Sequence, residues 1–196
     1  SLNPNVIRLT LSCVMNIDHK GNIIKYDIFP SYIKSRKQMT YKKVNDIIMR
    51  DIIAEDYEPY ADTLKEMNNL AHILRRAKEN RGYIDFNIDE PKIICDKDGV
   101  CTDIIKVERE DGEKLIEDFM IAANETVASH AYNMGVPFIY RVHGEPKKEK
   151  VDDYLHLVSL MGYKIVGKFK DIKPTSFQKI LAQLQGLSLT EAQNIL

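Results

Sequence analysis

The sequence has no tryptophan and only three cysteines in 196 residues. So sparse and odd a set of thiols excludes a disulfide framework and fits a reducing compartment, so a cytoplasmic location is expected. No apolar run approaches the ~20 residues of a membrane span, and no membrane partner is expected. Excess charge of either sign is also missing: 28 basic side chains face 29 acidic ones. A strongly basic, free-standing nucleic-acid binder is thereby excluded, but binding in a local groove is not. There is no Gly-rich phosphate loop, CxxC, HExxH or nucleophile elbow. The five histidines are scattered, and the acidic residues never gather into a cluster suited to two divalent ions. No self-contained catalytic set is expected.

What remains is an ordinary globular composition, 44% hydrophobic and 29% charged, long enough for one domain with a core. Val6 to Ile17 and Ile23 to Ile33 are rich in β-branched and aromatic residues around the turn Asp18-His19-Lys20-Gly21-Asn22, which predicts a hairpin with Pro30 at an edge or bulge. A second hairpin is expected where Lys92–Cys95 and Val100–Glu108 flank Asp96-Lys97-Asp98-Gly99. Cys95 and Cys101 would face each other across it as reduced thiols. Helical periodicity predicts a short helix opened by Thr40, a long one from Pro59 to Arg81 ended by Gly82, and others after Pro146 and from Pro174. Tyr83 to Phe86 is expected to be a short strand, and Lys164 to Ile172 a strand and a loop. Hairpins and helices are segregated, which defines an α+β fold.

The densest chemistry lies between Glu113 and Pro146. Apolar residues at Ile116, Phe119, Met120, Ala123, Val127 and Ala131 predict a core helix enclosed at its middle and flanked by Glu117 and Asn124. A carboxylate beside a buried girdle must be paired, hydrogen-bonded or functional. Gly135 would end the helix, and Val136–Tyr140 would form a buried strand delivering Arg141 and His143 into a Gly-Pro loop. Elsewhere, Lys34 to Lys43 carries five cations and one tyrosine. That mixture suits phosphate and base contacts, although charge runs are usually solvated surface. Phe86, set among Asp85, Asn87, Asp89 and Glu90, is an unusual position for an aromatic that only packs a core.

Five stretches, in order, resemble the catalytic (RNB) domain of the ribonuclease II and ribonuclease R family. Ser1-Leu2-Asn3-Pro4 with Arg8-Leu9 is similar to its SLNPxxxRL entry, and Thr40 to Val44 to its LTYxxV helix start. Arg81 to Phe86 resembles its RGxIxF strand, Ile116 to Asn124 its EExMIxAN helix, and Tyr140 to Pro146 its [FY]RxHxxP loop. Arg141 favours the ribonuclease R branch. The region after Pro146 resembles the family less.

The resemblance implies a processive 3′-to-5′ exoribonuclease that uses Mg²⁺ to hydrolyse single-stranded RNA to nucleoside 5′-monophosphates. Tyr41 corresponds to a tyrosine that helps select RNA near the 3′ end, Glu117 to a glutamate at the terminal ribose, and Phe86 to an aromatic that stacks on the last bases. Asn124, Arg141 and His143 are expected to brace the site rather than touch RNA. The family's aspartate cluster and catalytic arginine have no counterpart among these residues. The chain is therefore expected to be the central part, residues 1–196, of one RNB-like domain cut at both ends, holding no metal itself and inactive alone. This expectation also draws on its opening without methionine and its end just past a capping-box start at Thr190. The competing expectation is a non-catalytic relative that binds RNA or protein; substituted aspartates upstream of Ser1 in the parent gene would favour it.

Overall fold

In the computed structural model, residues 2–85, 90–107, 109–142, 144–161 and 173–184 are described. The first element is the predicted hairpin, β1 (Ile7–Ile17) and β2 (Ile23–Lys34), paired antiparallel with Cys13 opposite Ile28 and Leu11 opposite Pro30. Asp18 closes its turn by accepting the backbone N–H groups of Lys20 and Asn22, both at 2.8 Å. Gly21 is required twice. Its φ is +83°, and a Cβ there would lie 2.7 Å from the Ala77 Cβ of the long helix on which the turn rests. Pro30 is tolerated because, among the described residues, the sheet has two strands, both of them edges.

The helices follow as α1 (Tyr41–Arg50) and α2 (Ala61–Asn80), separated by a 3-10 turn over Glu55–Tyr60. Pro59 lies inside that turn, so the long helix starts two residues later than its proline suggested. Then come β3 (Glu90–Cys95) and β4 (Cys101–Val107), which pair as the second hairpin. They lead to α3 (Asp111–Met134), α4 (Lys148–Leu160) and α5 (Pro174–Leu184). The fold is α+β, as the segregated pattern indicated.

Contacts divide the chain into two units, one comprising Ser1–Ala77 with Pro91–Ile139 and the other Lys78–Glu90 with Tyr140–Leu196. In the first, Val44 and Ile47 of α1, Tyr57, and Ala61 and Leu64 of α2 form a buried cluster. In the second, Tyr154 and Val158 of α4 pack with Phe177, Ile180 and Leu181 of α5. There Gln178 Nε2 donates to the carbonyls of Glu79, in the last turn of α2, at 2.8 Å and of Tyr83, just beyond it, at 2.6 Å. Among the described residues, no helix is long and apolar enough to cross a membrane.

Several expectations are corrected. The buried residues of α3 are Gly112, Leu115, Asp118, Ala122, Thr126 and Ala131; Ala131 belongs to the apolar stripe read in the sequence, whereas Leu115, Asp118, Ala122 and Thr126 lie one position round from it. Ile116 and Met120 stand 40% and 58% exposed, so the helix middle is not enclosed. Val136 to Tyr140 is irregular and exposed, not a buried strand; among the described residues no strand pairs with it, and a strand needs a ladder partner. Tyr83 to Asp85 likewise forms no strand. Of the apolar face expected after Pro146, Leu155, Val158, Leu160 and Met161, only Leu160 is turned out, 72% exposed; Val158 is buried with Val151 and Tyr154, and Leu155 and Met161 pack against Tyr154 and Val158. The expected elements at Lys164 to Ile172 and beyond Thr190 lie outside the described residues.

Candidate nucleic-acid interface

Tyr41 is the first residue of α1 and is half exposed. Thr40 is the cap residue, but its side chain makes no capping bond. Its backbone N–H instead donates to the Tyr57 hydroxyl at 3.1 Å. Tyr57 is 1% exposed, so the start of α1 is anchored to a fixed point in the core. Lys37 and Lys43 approach the Tyr57 ring at 4.6 and 5.0 Å from its centroid, and both bond the Asp56 carboxylate, at 2.8 and 3.1 Å. Hydrogen bonds from Lys37 and then Lys43 hold the Asp56 carboxyl below its ordinary range. The same contact with Asp56 raises the Lys37 ammonium. Part of the basic stretch is thus occupied within the fold, fixing the segment that presents Tyr41.

The middle of α1 is tied to α3. Asn45, 1% exposed, accepts the Gly112 N–H at 2.7 Å and donates to Glu113 at 3.1 Å. Helix starts leave four N–H groups unpaired, and Glu110, the cap residue of α3, makes no side-chain capping bond. Asn45 therefore does from a neighbouring helix what a capping side chain usually does locally. An Arg50–Glu110 ion pair joins the same two helices. Further along α3, Asp118, whose side chain is 2% exposed, receives Arg75 Nε at 3.0 Å, while Arg75 Nη1 reaches Asp111 at 3.3 Å. These contacts fix α3 against both α1 and α2.

Glu117 is half-buried on α3, and Arg109 Nη1 donates to its carboxylate at 3.1 Å. Between α1, α2 and α3 opens an apolar pocket of about 670 Å³. Tyr41, Tyr60, Met67, Gly112 and Ile116 are among its lining residues. The fold thus brings Tyr41 and the turn of α3 preceding Glu117 to one pocket. Asn124, on the same helix, is exposed, and so is Arg141, which belongs to the second unit. Phe86 and His143 lie outside the described residues.

Sequence reasoning missed Asn45, Tyr57 and Arg109. Two signals were available. Asn45 interrupts the apolar run Val44, Ile47, Ile48, where a polar group must find a partner. Gly112, at the second position of a helix, is a poor helix former that leaves room for an incoming side chain.

The chain belongs to the RNB domain family, whose pattern matches residues 1–196. It is 41% identical to ribonuclease R 1 of Lactococcus lactis over 95% of this chain and 23% of that protein. It is 42% identical to ribonuclease R of Thermotoga maritima over 91% of this chain and 25% of that one. Its fold matches Mycoplasma genitalium RNase R in complex with ribose-methylated single-stranded RNA. That match has a TM-score of 0.91 and 25% identity, covering 100% of this chain and 31% of the other. The chain spans about a quarter of the length of the curated relatives it matches.

Proposed function

We propose that residues 1–196 are the central part of the catalytic domain of a processive 3′-to-5′ exoribonuclease of the ribonuclease R type. Its substrate is single-stranded RNA entered from the 3′ end, and its products are nucleoside 5′-monophosphates. The observation that carries this reading is the shared pocket of Tyr41 and Ile116, beside Glu117, in a chain belonging to the RNB family. Tyr41 is exposed enough for its hydroxyl to meet a ribose. Glu117, held by Arg109, accepts a hydrogen bond from a sugar hydroxyl, and the 2′-OH is the group that separates RNA from DNA. Phe86 stacks on the terminal bases, a contact of about 1–3 kcal/mol per base in comparable sites. Asn124, Arg141 and His143 brace the walls.

Mg²⁺ belongs to the reaction of the whole enzyme, where it would activate water and steady the leaving oxygen. Among the described residues, no group of three or more His, Cys, Asp or Glu side chains converges to hold it. No step is therefore assigned to a metal on this chain; its own residues orient the RNA end.

Incubation with a single-stranded oligoribonucleotide in Mg²⁺ tests the proposal. The full-length protein is expected to release mononucleotides from the 3′ end, and residues 1–196 alone to release none. Mg²⁺-dependent mononucleotide release by the 196-residue chain, or none by the full-length protein, would overturn it.

A further inference from the structure

A pair of thiols stands outside the RNA-facing side chains. Cys95 ends β3 and Cys101 begins β4; both are exposed free thiols, and Cys101 Sγ donates weakly to the Asp103 carbonyl at 3.7 Å. The turn between them fixes their register. Asp96 N–H donates to the Val100 carbonyl at 2.9 Å, Gly99 N–H to the Asp96 carbonyl at 3.2 Å, and Gly99 sits at φ +81°. Asp96 and Val100 therefore form the closing hydrogen-bonded pair of a three-residue hairpin loop with a glycine bulge. The next pair outward is Cys95 and Cys101. Thr102 Oγ1 donating to the Ile94 carbonyl at 3.1 Å places the following pair in the same register.

Bonded and non-bonded pairs alternate along an antiparallel ladder, so Cys95 and Cys101 occupy a non-hydrogen-bonded pair, with Cα atoms about 4.5 Å apart. A disulfide needs Cα atoms roughly 4.4–6.8 Å apart and side chains on one face. Directly opposite residues share a face. Both requirements are met without moving the backbone, and exposure gives small reagents access to both sulfurs.

We propose that Cys95 and Cys101 are a reversible dithiol–disulfide modification site whose reaction partner is a low-molecular-weight disulfide such as oxidised glutathione. One cysteine thiolate attacks a sulfur of the small disulfide, forming a mixed disulfide and releasing one small thiol. The second cysteine thiolate attacks the protein sulfur of that mixed disulfide, forming the Cys95–Cys101 bond and releasing the second small thiol. Two protein thiols are oxidised by two electrons, one small disulfide is reduced to two thiols, and the two thiol protons pass to the departing thiolates. In the reduced form the hairpin keeps its ladder, and the bond adds a covalent cross-link across a two-stranded sheet, an arrangement otherwise of marginal stability.

The test is oxidation of the purified protein with oxidised glutathione, alkylation of remaining thiols, and non-reducing tryptic mapping by mass spectrometry. Cleavage after Lys97 separates the two cysteines unless they are bonded. The Cys95–Cys101 cross-link is expected to exceed glutathione adducts at either cysteine by at least about tenfold, because the second thiol acts at a high effective concentration. In Cys101→Ser the glutathione adduct at Cys95 is expected to accumulate. The proposal is overturned if adducts on the two cysteines match or exceed the cross-link. It is equally overturned if the bond forms to Cys13 or between molecules, or if Cys95 stays a free thiol in Cys101→Ser.

Discussion

Asn45 takes part in two helices at once, and substitutions there separate packing from capping. In Asn45→Ala the Gly112 N–H loses its acceptor inside the core, a loss of about 1–3 kcal/mol. Urea denaturation of the chain should show a lower midpoint; an unchanged midpoint would mean that water replaces the bond freely. Tyr57→Phe removes only the acceptor for Thr40 N–H and should cost about 1 kcal/mol. Asp56 supplies a pH signature. Its folded carboxyl lies below the ordinary 3.8 because Lys37 and Lys43 bond it. A depressed carboxylate contributes stability that is present above 3.8 and lost as pH falls through the folded value. NMR titration should find Asp56 returning toward 3.8 in Lys37→Met. Asp56 and Tyr57 did not stand out in the sequence, because each acts through a partner more than a dozen residues away; Asn45 was marked only by its place within an apolar run.

At the scale of elements, α3 holds the main lesson. Its length, its glycine stop and Glu117 were legible, since periodicity and a C-terminal glycine are local signals. Its buried face was not. The sequence stripe favoured Ile116 and Met120, yet the helix turns Asp118 inward. A buried carboxylate reads as surface until its partner, Arg75 on α2, is known. Removing that partner alone should be costly. Arg75→Met is expected to destabilise the chain by about 3–5 kcal/mol by leaving Asp118 without its ion pair, whereas Arg75→Met with Asp118→Leu should recover most of the loss. Thermal denaturation of the single and double variants compares the two. The stretch Val136–Tyr140 failed for the complementary reason: its apolar run is strand-like, but strand formation depends on a neighbour that sequence cannot supply. Both hairpins were legible because Gly21 and Gly99 mark their turns within a few residues.

At the scale of the molecule, large apolar side chains remain open to solvent: Leu9 is 89% exposed, Leu11 71% and Ile139 95%. Both strands of the first hairpin are edges. Open edges and apolar patches favour association. The isolated 196-residue chain should therefore gain apparent mass with concentration in sedimentation equilibrium; a constant monomer mass over the accessible range would contradict this. Tyr41 and Glu117 are positioned by contacts within the first unit, while Phe86 and His143 lie outside the described residues.

The central claim is that Tyr41 and Glu117 read the ribose at the 3′ end of RNA. It is tested most directly by the rate at which the full-length protein shortens an oligoribonucleotide, compared with the same oligonucleotide carrying 2′-deoxyribose in its last two positions. The wild-type protein should strongly prefer the all-ribose substrate. Tyr41→Phe and Glu117→Gln should each narrow that preference by about tenfold, the equivalent of one lost hydrogen bond of roughly 1.4 kcal/mol. An unchanged preference in both variants, with shortening of RNA still intact, would contradict the account.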